Sequence, residues 1–239
     1  MENRVKPVGD QGIMISFGNE ISDEINGSVT NFVGDFRKKN FEGIIDIIPA
    51  YSSVLISYEP FVWEYPEIKK EVESLLDNKK DSEKKRKRIY EIPVCYGEEF
   101  GQDMETVVAH TGLTEQEIIR IHSGTDYLIY MLGFMPGFAY LGGMDERLIT
   151  PRLDKPRLSI PAGSVGIASA QTGIYPMESP GGWQLIGKTP LKPYDPSRVP
   201  VILYEAGDYI RFVPVSKEDY DRIEREVEEG FYKIRRREE

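Results

Sequence analysis

The sequence predicts an α+β protein, with a small amino-terminal antiparallel sheet that carries helices and a β-rich second domain. Short apolar runs alternate with two amphipathic helical patterns over residues 1–76. An almost wholly polar segment follows at residues 77–88. Beyond it, strand-length runs separated by dense glycine and proline at residues 127–190 are typical of a barrel or sandwich. We therefore predict domains at residues 1–88 and 89–239.

Six consecutive elements define the first domain. Apolar residues at helical spacing predict a helix over residues 21–36, and a second helix starts at Pro66, a favoured first helical position. Two strands precede each helix, so the helices are expected to pack on one antiparallel sheet. The predicted strands are residues 5–8, 13–17, 44–48 and 53–58.

Residues 77–88 have two interpretations, a basic patch for nucleic acid or a solvated helix end followed by a linker. No aromatic residue is interleaved for base stacking, which favours the linker. The net charge of -10 also opposes non-specific attraction to nucleic acid or an anionic membrane. A helix, glycine, helix pattern around Gly112 resembles a DNA-binding motif, but its second helix carries Glu115 and Glu117 beside a single base, Arg120, which excludes that function.

The second domain begins with a strand and two short helices. Gly112 is placed to cap the first helix, and Thr114 with Glu117 forms a capping-box pattern that opens the second. Ser216 begins a carboxy-terminal helix whose apolar positions continue to Ile234. The remaining predictions are a strand at 89–96, helices at 104–110 and from 114 to about 124, strands at 199–204 and 209–213, and helix fraying over 235–239.

Composition indicates an ordinary globular protein. Of the 239 residues, 40% are hydrophobic and 29% are charged. The lone cysteine, Cys95, excludes an internal disulfide and is most simply a buried apolar residue in a strand. No apolar signal-peptide core follows Met1 and no stretch has transmembrane length, so we expect a cytoplasmic protein.

Several common chemistries find no support. Residues 182–189 match the phosphate-loop pattern formally, but the variable positions are strand-forming and Pro190 follows, which disfavours the required helix. A role for Lys188 with ATP in another geometry stays open. His110 and His122 are interpreted as surface or helix-end histidines, because neither has a serine or cysteine partner in sequence. Two histidines and one cysteine, widely spaced, predict no metal site.

A group of neutral polar side chains on glycine-rich turns forms the candidate site. Phe134, Phe138 and Trp183 are expected as apolar walls of a concave site for a small amide or a peptide segment. Arg152, Lys155 and Arg157 form a positive cluster. It either holds a carboxylate or phosphate or belongs to a solvated loop of mixed charge. The glycines either turn corners or allow close approach to a ligand. The polar residues are Ser164, Gln171, Thr172, Tyr175, Ser179 and Gln184.

At these residues the chain resembles the family of 5-oxoprolinase B subunits, also described as the allophanate hydrolase subunit 1 family, which includes the sporulation kinase A inhibitor. The similarity covers nearly the whole chain. The motifs that carry it are Ile-Pro-Val-Cys-Tyr-Gly at 92–97, Tyr-Met-Leu-Gly-Phe at 130–134, Pro136-Gly137-Phe138, Pro-Ala-Gly-Ser-Val-Gly-Ile at 161–167, Gln-Thr-Gly-Ile-Tyr-Pro at 171–176 and Ser-Pro-Gly-Gly-Trp-Gln-Leu-Ile-Gly at 179–187.

The resemblance implies that the second domain is a cyclophilin-like β-barrel. It also implies partnership with the homologous C subunit and with the A subunit of 5-oxoprolinase, in a complex that opens the lactam of 5-oxoproline to glutamate at the expense of ATP. ATP is therefore expected for the complex, not on this chain in particular. Because the chain offers no convincing phosphate loop, metal site or general base, we expect it to contribute part of a shared site and to be inactive alone.

Three functional hypotheses follow. The first is a subunit of an ATP-dependent 5-oxoprolinase, a hydrolase of a cyclic amide; no catalytic residue is assigned. The second is a regulatory inhibitor that grips a sporulation-type histidine kinase. The third is a subunit of an allophanate or urea amide hydrolase or carboxyltransferase. Candidate substrate-binding residues are Gln171, Thr172, Tyr175, Ser179, Trp183 and Gln184; candidate partner or groove residues are Phe134, Pro136, Gly137, Phe138 and Ser164; candidate anion-binding residues are Arg152, Arg157 and Lys188.

Overall fold

The structure is a computed structural model that describes residues 4–19, 22–77 and 87–239. The chain divides into two compact units, residues 1–85 and residues 86–239. Most of the polar segment interpreted as a linker lies outside the described residues.

The first unit is a four-stranded antiparallel sheet with two helices. Its strand order is β1-β2-β4-β3. The four predicted strands and both predicted helices are present. Their bounds are β1 Val5–Pro7, β2 Gly12–Ser16, α1 Asp23–Lys38, β3 Ile44–Pro49, β4 Ser53–Tyr58 and α2 Tyr65–Asp77.

Alternation along β4 explains how this unit acquires a core. Val54, Ile56 and Tyr58 point to one face and are buried, in contact with the apolar sides of the helices. Ile68 of α2 joins the same cluster, completely buried. Each such aliphatic side chain contributes about 1.5–3 kcal/mol through burial. The Ser22 side chain accepts a hydrogen bond from the Ile25 amide and begins α1.

The second unit is a β-barrel with three helices and a separate two-stranded ribbon. The main sheet runs β10-β9-β12-β5-β13-β6-β7, with β14 also paired to β5. Strands β7 and β10, at its two ends, lie side by side and nearly close the sheet. The elements are β5 Arg88–Tyr96, α3 Met104–Thr111, α4 Glu115–Ser123, β6 Asp126–Leu132, β7 Ala139–Gly142, β8 Arg157–Ile160, β9 Ser164–Ala168, β10 Gln171–Ile174, β11 Ser179–Gly181, β12 Gln184–Lys188, β13 Tyr209–Pro214, α5 Lys217–Glu228 and β14 Arg236–Glu238.

The α+β class and the barrel are thus confirmed, and so are the helix boundaries that capping predicted. Gly112 ends α3 in the left-handed region at φ 72°. Thr114 and Glu117 form a complete capping box at the start of α4. Strands β5 and β13 run parallel, while the other neighbours in the main sheet are antiparallel.

The predicted strand at 199–204 is wrong. The segment forms no strand and makes one isolated bridge, between Tyr194 and Ile202. Pro200 has no amide hydrogen for a ladder. The Arg198 guanidinium donates to the backbone carbonyls of Lys192, Pro193, Pro200 and Val201. Two of these carbonyls, of Pro193 and Val201, also accept backbone amides on the two sides of the bridge. The segment is therefore a loop organised by one arginine.

The carboxy-terminal helix is also shorter than predicted. Helix α5 ends at Glu228, and Gly230 follows with φ 76°. A left-handed glycine there turns the chain away from the helix axis. The predicted frayed end is instead strand β14, antiparallel to β5. Ile234 packs against the barrel core, but it does so from a segment that is not helical. Its helical spacing from the apolar residues of α5 therefore does not indicate a longer helix.

Two local interpretations are confirmed in the second unit. The formal phosphate-loop match falls on strand β12. Cys95 is a buried thiol, and burial raises its pKa above the usual value. Across residues 4–19, 22–77 and 87–239, no helix combines the length and the apolar character needed to cross a membrane.

An aromatic cavity as the candidate functional site

A cavity of about 150 Å³ opens on the surface of the second unit, and we call it the aromatic cavity. Strands β7 and β11 supply part of its lining, and the loops after β6, β7, β10 and β11 supply the rest. Its lining residues are Phe134, Phe138, Tyr140, Arg152, Tyr175, Pro180, Gly181, Gly182 and Trp183.

Phe138 is the centre of the aromatic packing. Its ring centroid lies 5.5 Å from that of Trp183 and 5.9 Å from that of Tyr175, both edge to face. Tyr140 and Phe134 approach it at 5.1 Å and 5.7 Å in the same manner. Edge-to-face pairs at these separations contribute about 0.5–1.5 kcal/mol each beyond burial. The cavity wall is therefore a packed aromatic cluster whose shape is set in advance of any ligand.

Phe134 stands apart from the rest of this cluster. Its side chain is 71% exposed and its backbone has φ 65°. A bulky side chain is disfavoured in the left-handed region, so this conformation is held by its surroundings. The carbonyls of Gly133 and Met135 accept amide hydrogens from Met135 and Phe138, which tightens the loop around it. The loop thus presents an aromatic ring at the mouth of the cavity.

Gly181 is required where the wall approaches Tyr175. A β-carbon at Gly181 would overlap the Tyr175 hydroxyl and would lie 2.7 Å from Ile160 Cδ1. The hydroxyl is hydrogen-bonded with the Trp183 backbone. Burial raises the pKa of Tyr175, so the phenol stays neutral. Tyr175 is therefore a neutral phenol at neutral pH and not a base.

The segment that carries Arg152 is fastened to the same wall. The Leu153 amide donates to the Gly182 carbonyl at 2.7 Å. Gln184 Nε2 donates to the Pro151 carbonyl at 3.0 Å. These two bonds bracket Arg152 on both sides in sequence, and so they fix its backbone beside the cavity.

Arg157 has a different environment from Arg152. Its Nη2 lies 2.6 Å from Asp103 Oδ1, and its Nη1 donates weakly to the Trp183 carbonyl at 3.4 Å. Asp103 Oδ2 accepts from the Leu185 amide at 2.7 Å. Arg157 therefore holds the chain next to the cavity wall instead of lining the cavity.

Thr172 belongs to a buried chain of hydrogen bonds inside the barrel. Its hydroxyl donates to the Gly166 carbonyl at 3.0 Å and lies 2.7 Å from His122 Nε2. A hydroxyl has one hydrogen, so Nε2 must donate to Thr172 and Nδ1 must accept from the Tyr96 hydroxyl at 2.7 Å. Complete burial lowers the pKa of His122 to about 3, and the imidazole is neutral.

This position corrects the interpretation of His122 as a surface or helix-end histidine. It lies in the last turn of α4, but its side chain is fully buried. The available signal was its position four residues after Ile118, on the apolar face of the helix. His110, by contrast, is exposed. Tyr140 and Asp103 were also missed, because strand alternation alone does not show what a neighbouring loop places beside them.

Predicted site residues thus fall into two groups. The structure brings Tyr175, Trp183, Phe134, Phe138 and Arg152 to one cavity. The others lie elsewhere. Ser164 faces Lys188 across the β9–β12 pair, Thr172 is in the barrel core, Gly137 accepts a hydrogen bond from the Tyr204 hydroxyl, Pro136 is exposed, Gln171 is half-buried on β10, and Arg157 pairs with Asp103.

Two predicted residues have buried polar atoms without a partner among the described residues, Ser179 Oγ and Gln184 Oε1. Such atoms are uncommon in native proteins and usually contact an ordered water or a ligand. Both residues are next in sequence to lining residues, Pro180 and Trp183. Within the described residues no three histidine, cysteine or carboxylate side chains are grouped as a metal site.

The chain is similar to known proteins over most of its length. The carboxyltransferase domain, subdomain C and D, family matches residues 3–204. The 5-oxoprolinase B subunit of Bacillus subtilis (strain 168) is 43% identical over 233 residues, which is 93% of this chain and 97% of that protein. This chain belongs to the family of 5-oxoprolinase B subunits. The resemblance carried by the glycine-rich motifs is confirmed.

Two further relatives are similar to this chain, one in sequence and one in fold. The 5-oxoprolinase B subunit of Escherichia coli O157:H7 is 54% identical over 127 residues, 53% of this chain and 58% of that protein. The crystal structure of the K. lactis urea amidolyase matches with a TM-score of 0.81 at 19% identity, over 98% of this chain and 16% of that chain. At that identity the match shows the shared fold alone. The B-subunit name of the more similar relatives implies further subunits.

Proposed function

We propose that the chain is a non-autonomous subunit of an ATP-dependent 5-oxoprolinase that opens 5-oxo-L-proline to L-glutamate together with the A and C subunits. The aromatic cavity is the observation that carries this proposal. A small cavity with aromatic walls and one cationic side chain suits a five-membered lactam ring that bears a carboxylate. The names of its full-length relatives support the same reaction.

The lining explains why the chain would not act alone. Opening a lactam needs a group that activates water and a means of activating the carbonyl. Among the described lining residues the polar side chains are Arg152, Tyr140 and Tyr175, and burial raises the pKa of Tyr175 further from the neutral range. None is a general base at neutral pH. We therefore assign this chain to substrate binding and orientation.

ATP is assigned to the assembled complex. A lactam is a poor electrophile, and phosphoryl transfer to its oxygen creates a leaving group, so coupling to ATP is chemically reasonable. The phosphate-loop pattern of this chain lies on strand β12, which offers no helix amino terminus for phosphate. We therefore assign the nucleotide to another component of the complex.

The test is co-expression of this chain with the A and C subunits, followed by measurement of glutamate released from 5-oxoproline with and without ATP. We expect ATP-dependent release that disappears when this chain is omitted. A correctly assembled complex that releases no glutamate would reject the proposal. Allophanate and urea tested in parallel would then show whether the site serves the chemistry named for its more distant relatives.

A second candidate function is favoured by Phe134. An aromatic side chain that is 71% exposed on a constrained loop is a suitable anchor for another protein. A regulatory inhibitor would use this ring to hold a segment of a histidine kinase. Pull-down with a kinase dimerisation domain tests it: recovery that Phe134→Ala abolishes would support the function, and no recovery by the unmodified chain would reject it.

A further inference from the structure

Two arginines were expected to hold an anion, and their environments separate them. Arg157 is ion-paired with Asp103, which is itself buried, so its charge is already compensated. Arg152 is exposed, lines the aromatic cavity, and makes neither an ion pair nor a hydrogen bond with any described residue. Arg152 is therefore the cation that is available to a ligand.

The charge of Arg152 acts directly on the aromatic wall. Burial is the largest influence on the pKa of Tyr175 and raises it, while a hydrogen bond with the Trp183 backbone and the positive charges of Arg152 and Arg157 oppose the rise. Of the two arginines, Arg152 is the one that lines the same cavity as Tyr175. Arg152 is exposed, so water screens part of the attraction between its guanidinium and a carboxylate, and charge-assisted hydrogen bonds in a fixed geometry supply the rest.

The size of the cavity limits what can fill it. Sites for drug-sized ligands usually have volumes of about 300–1,000 Å³, and this one is about 150 Å³. A single small ring fits, with any charged substituent left at the mouth. In a chain with a net charge of -10, a cation at the cavity without an ion-pair partner among the described residues is a site of attraction for an anion.

We infer that Arg152 binds the carboxylate of the ligand whose ring occupies the aromatic cavity, so that the site selects small cyclic amides that carry a free carboxylate. The inference rests on the proposed function and names the group of the substrate that is recognised. Arg152 is a specificity residue and takes no part in bond making. A lactam without a carboxylate would fit the aromatic walls but would gain nothing from the arginine.

Equilibrium dialysis tests this inference on the complete assembly without ATP, using two probes, 5-oxo-L-proline and 2-pyrrolidinone. The two compounds share the lactam ring and differ by the carboxylate. We expect Arg152→Ala to lower the affinity for 5-oxo-L-proline about 10- to 100-fold, which is the loss expected when a charged hydrogen-bonded pair is removed. Binding of 2-pyrrolidinone should change less than about 2-fold, since an uncharged ligand has no ion pair to lose.

Two further variants locate the ligand and control for charge. Phe134→Ala removes an exposed residue of the cavity wall, and it should lower the affinity for both probes by the same factor. Lys155→Ala removes an equal charge from an exposed residue of the same loop that does not line the cavity, and it should change neither affinity.

Each outcome decides the inference. Selective loss of 5-oxo-L-proline binding in Arg152→Ala supports it. Unchanged affinity for 5-oxo-L-proline, an equal loss for both probes, or no binding by the unmodified assembly overturns it. Failure of the proposed function is distinguished by turnover: an assembly that binds 5-oxo-L-proline through Arg152 but releases no glutamate with ATP retains this inference and rejects that function.

Discussion

Arg157 Nη2 and Asp103 Oδ1, 54 positions apart in the chain, lie 2.6 Å from each other and join the ribbon strand β8 to the start of α3. The second oxygen of Asp103 accepts the Leu185 amide. Arg157 also pairs in register with Gly181 of β11. This ion pair, buried at Asp103 and partly exposed at Arg157, therefore links β8 and α3 to the strands on both sides of the wall residues Gly182 and Trp183.

Arg157→Met should destabilise the second unit by about 3 kcal/mol, because it leaves the Asp103 carboxylate buried and unpaired. The double variant with Asp103→Asn should recover part of this loss, since the uncompensated charge is gone. Denaturant unfolding followed by the fluorescence of Trp183, in a Trp63→Phe background that leaves a single tryptophan, measures both. Equal losses in the single and double variants would show that the ion pair does not stabilise the wall.

Gly181→Ala should distort the aromatic cavity, because the new methyl group would overlap the Tyr175 hydroxyl and crowd Ile160. We expect a loss of about 1–3 kcal/mol in the free energy of unfolding, as for other overpacked sites. Gly182→Ala is the matched control, because its β-carbon would meet no atom closer than 3.6 Å. The two variants compared by denaturant unfolding and near-UV circular dichroism test the prediction, and identical behaviour would contradict it.

His122 should make the stability of the second unit sensitive to acid. Its pKa is about 3 in the folded chain and about 6.5 when unfolded, so unfolding takes up a proton between these values. Stability is then full above pH 6.5 and declines as the pH falls towards 3, by about 2 kcal/mol between pH 6.5 and 5.

One variant isolates this effect. His122→Gln keeps a donor for Thr172 but does not titrate, and it should flatten the slope between pH 6.5 and 5 even if it is less stable throughout. Burial opposes ionisation of Asp126, but hydrogen bonds from Arg211 and Lys87 lower its pKa to about 2, so its contribution is lost only below about pH 4. A slope that survives in His122→Gln would refute the assignment.

Phe134→Asn should be more stable than Phe134→Ala by up to about 1 kcal/mol, because both variants lose the edge-to-face contact with Phe138 and asparagine tolerates the left-handed backbone at φ 65°. Both changes should weaken ligand binding, since a wall of the cavity is lost. Phe231 is 75% exposed and its φ is not positive, so Phe231→Asn is expected to show no such advantage over Phe231→Ala. Thermal unfolding of the four variants measures the difference, and a Phe134→Asn variant less stable than Phe134→Ala would contradict the backbone argument.

Local signals were sufficient for most of the fold. The capping box of Thr114 and Glu117 and the glycine at Gly112 set helix boundaries through neighbouring residues alone, and the structure reproduces them. The strand expected at 199–204 is absent, because Pro200 has no amide hydrogen for a ladder and the Arg198 guanidinium holds the segment as a loop through backbone carbonyls, contacts that apolar patterning does not encode. The carboxy-terminal helix is shorter than the apolar spacing predicts, because residues 236–238 pair with the distant strand β5 instead.

The candidate site was predictable in its residue types but not in its arrangement. Phe134, Phe138 and Trp183 were expected as apolar walls, and the structure places them around one cavity. Arg152 and Arg157 looked equivalent in sequence because the compensating Asp103 lies 54 positions away from Arg157. Only the folded chain shows which of the two charges is free to meet a ligand. Binding of substrate by these residues stays a prediction.

Strand β14 pairs with β5 in antiparallel register, Arg236 opposite Tyr90 and Glu238 opposite Arg88. Strand β5 has β12 and β13 as neighbours in the main sheet, and β14 completes its pairing only at residues 88–90. Contacts of such large sequence separation slow folding, because the entropy of closing a long loop opposes them. Until residues 236–238 have folded back, the backbone at residues 88–90 lacks this partner, and we expect an unpaired strand edge there to be open to association with another chain.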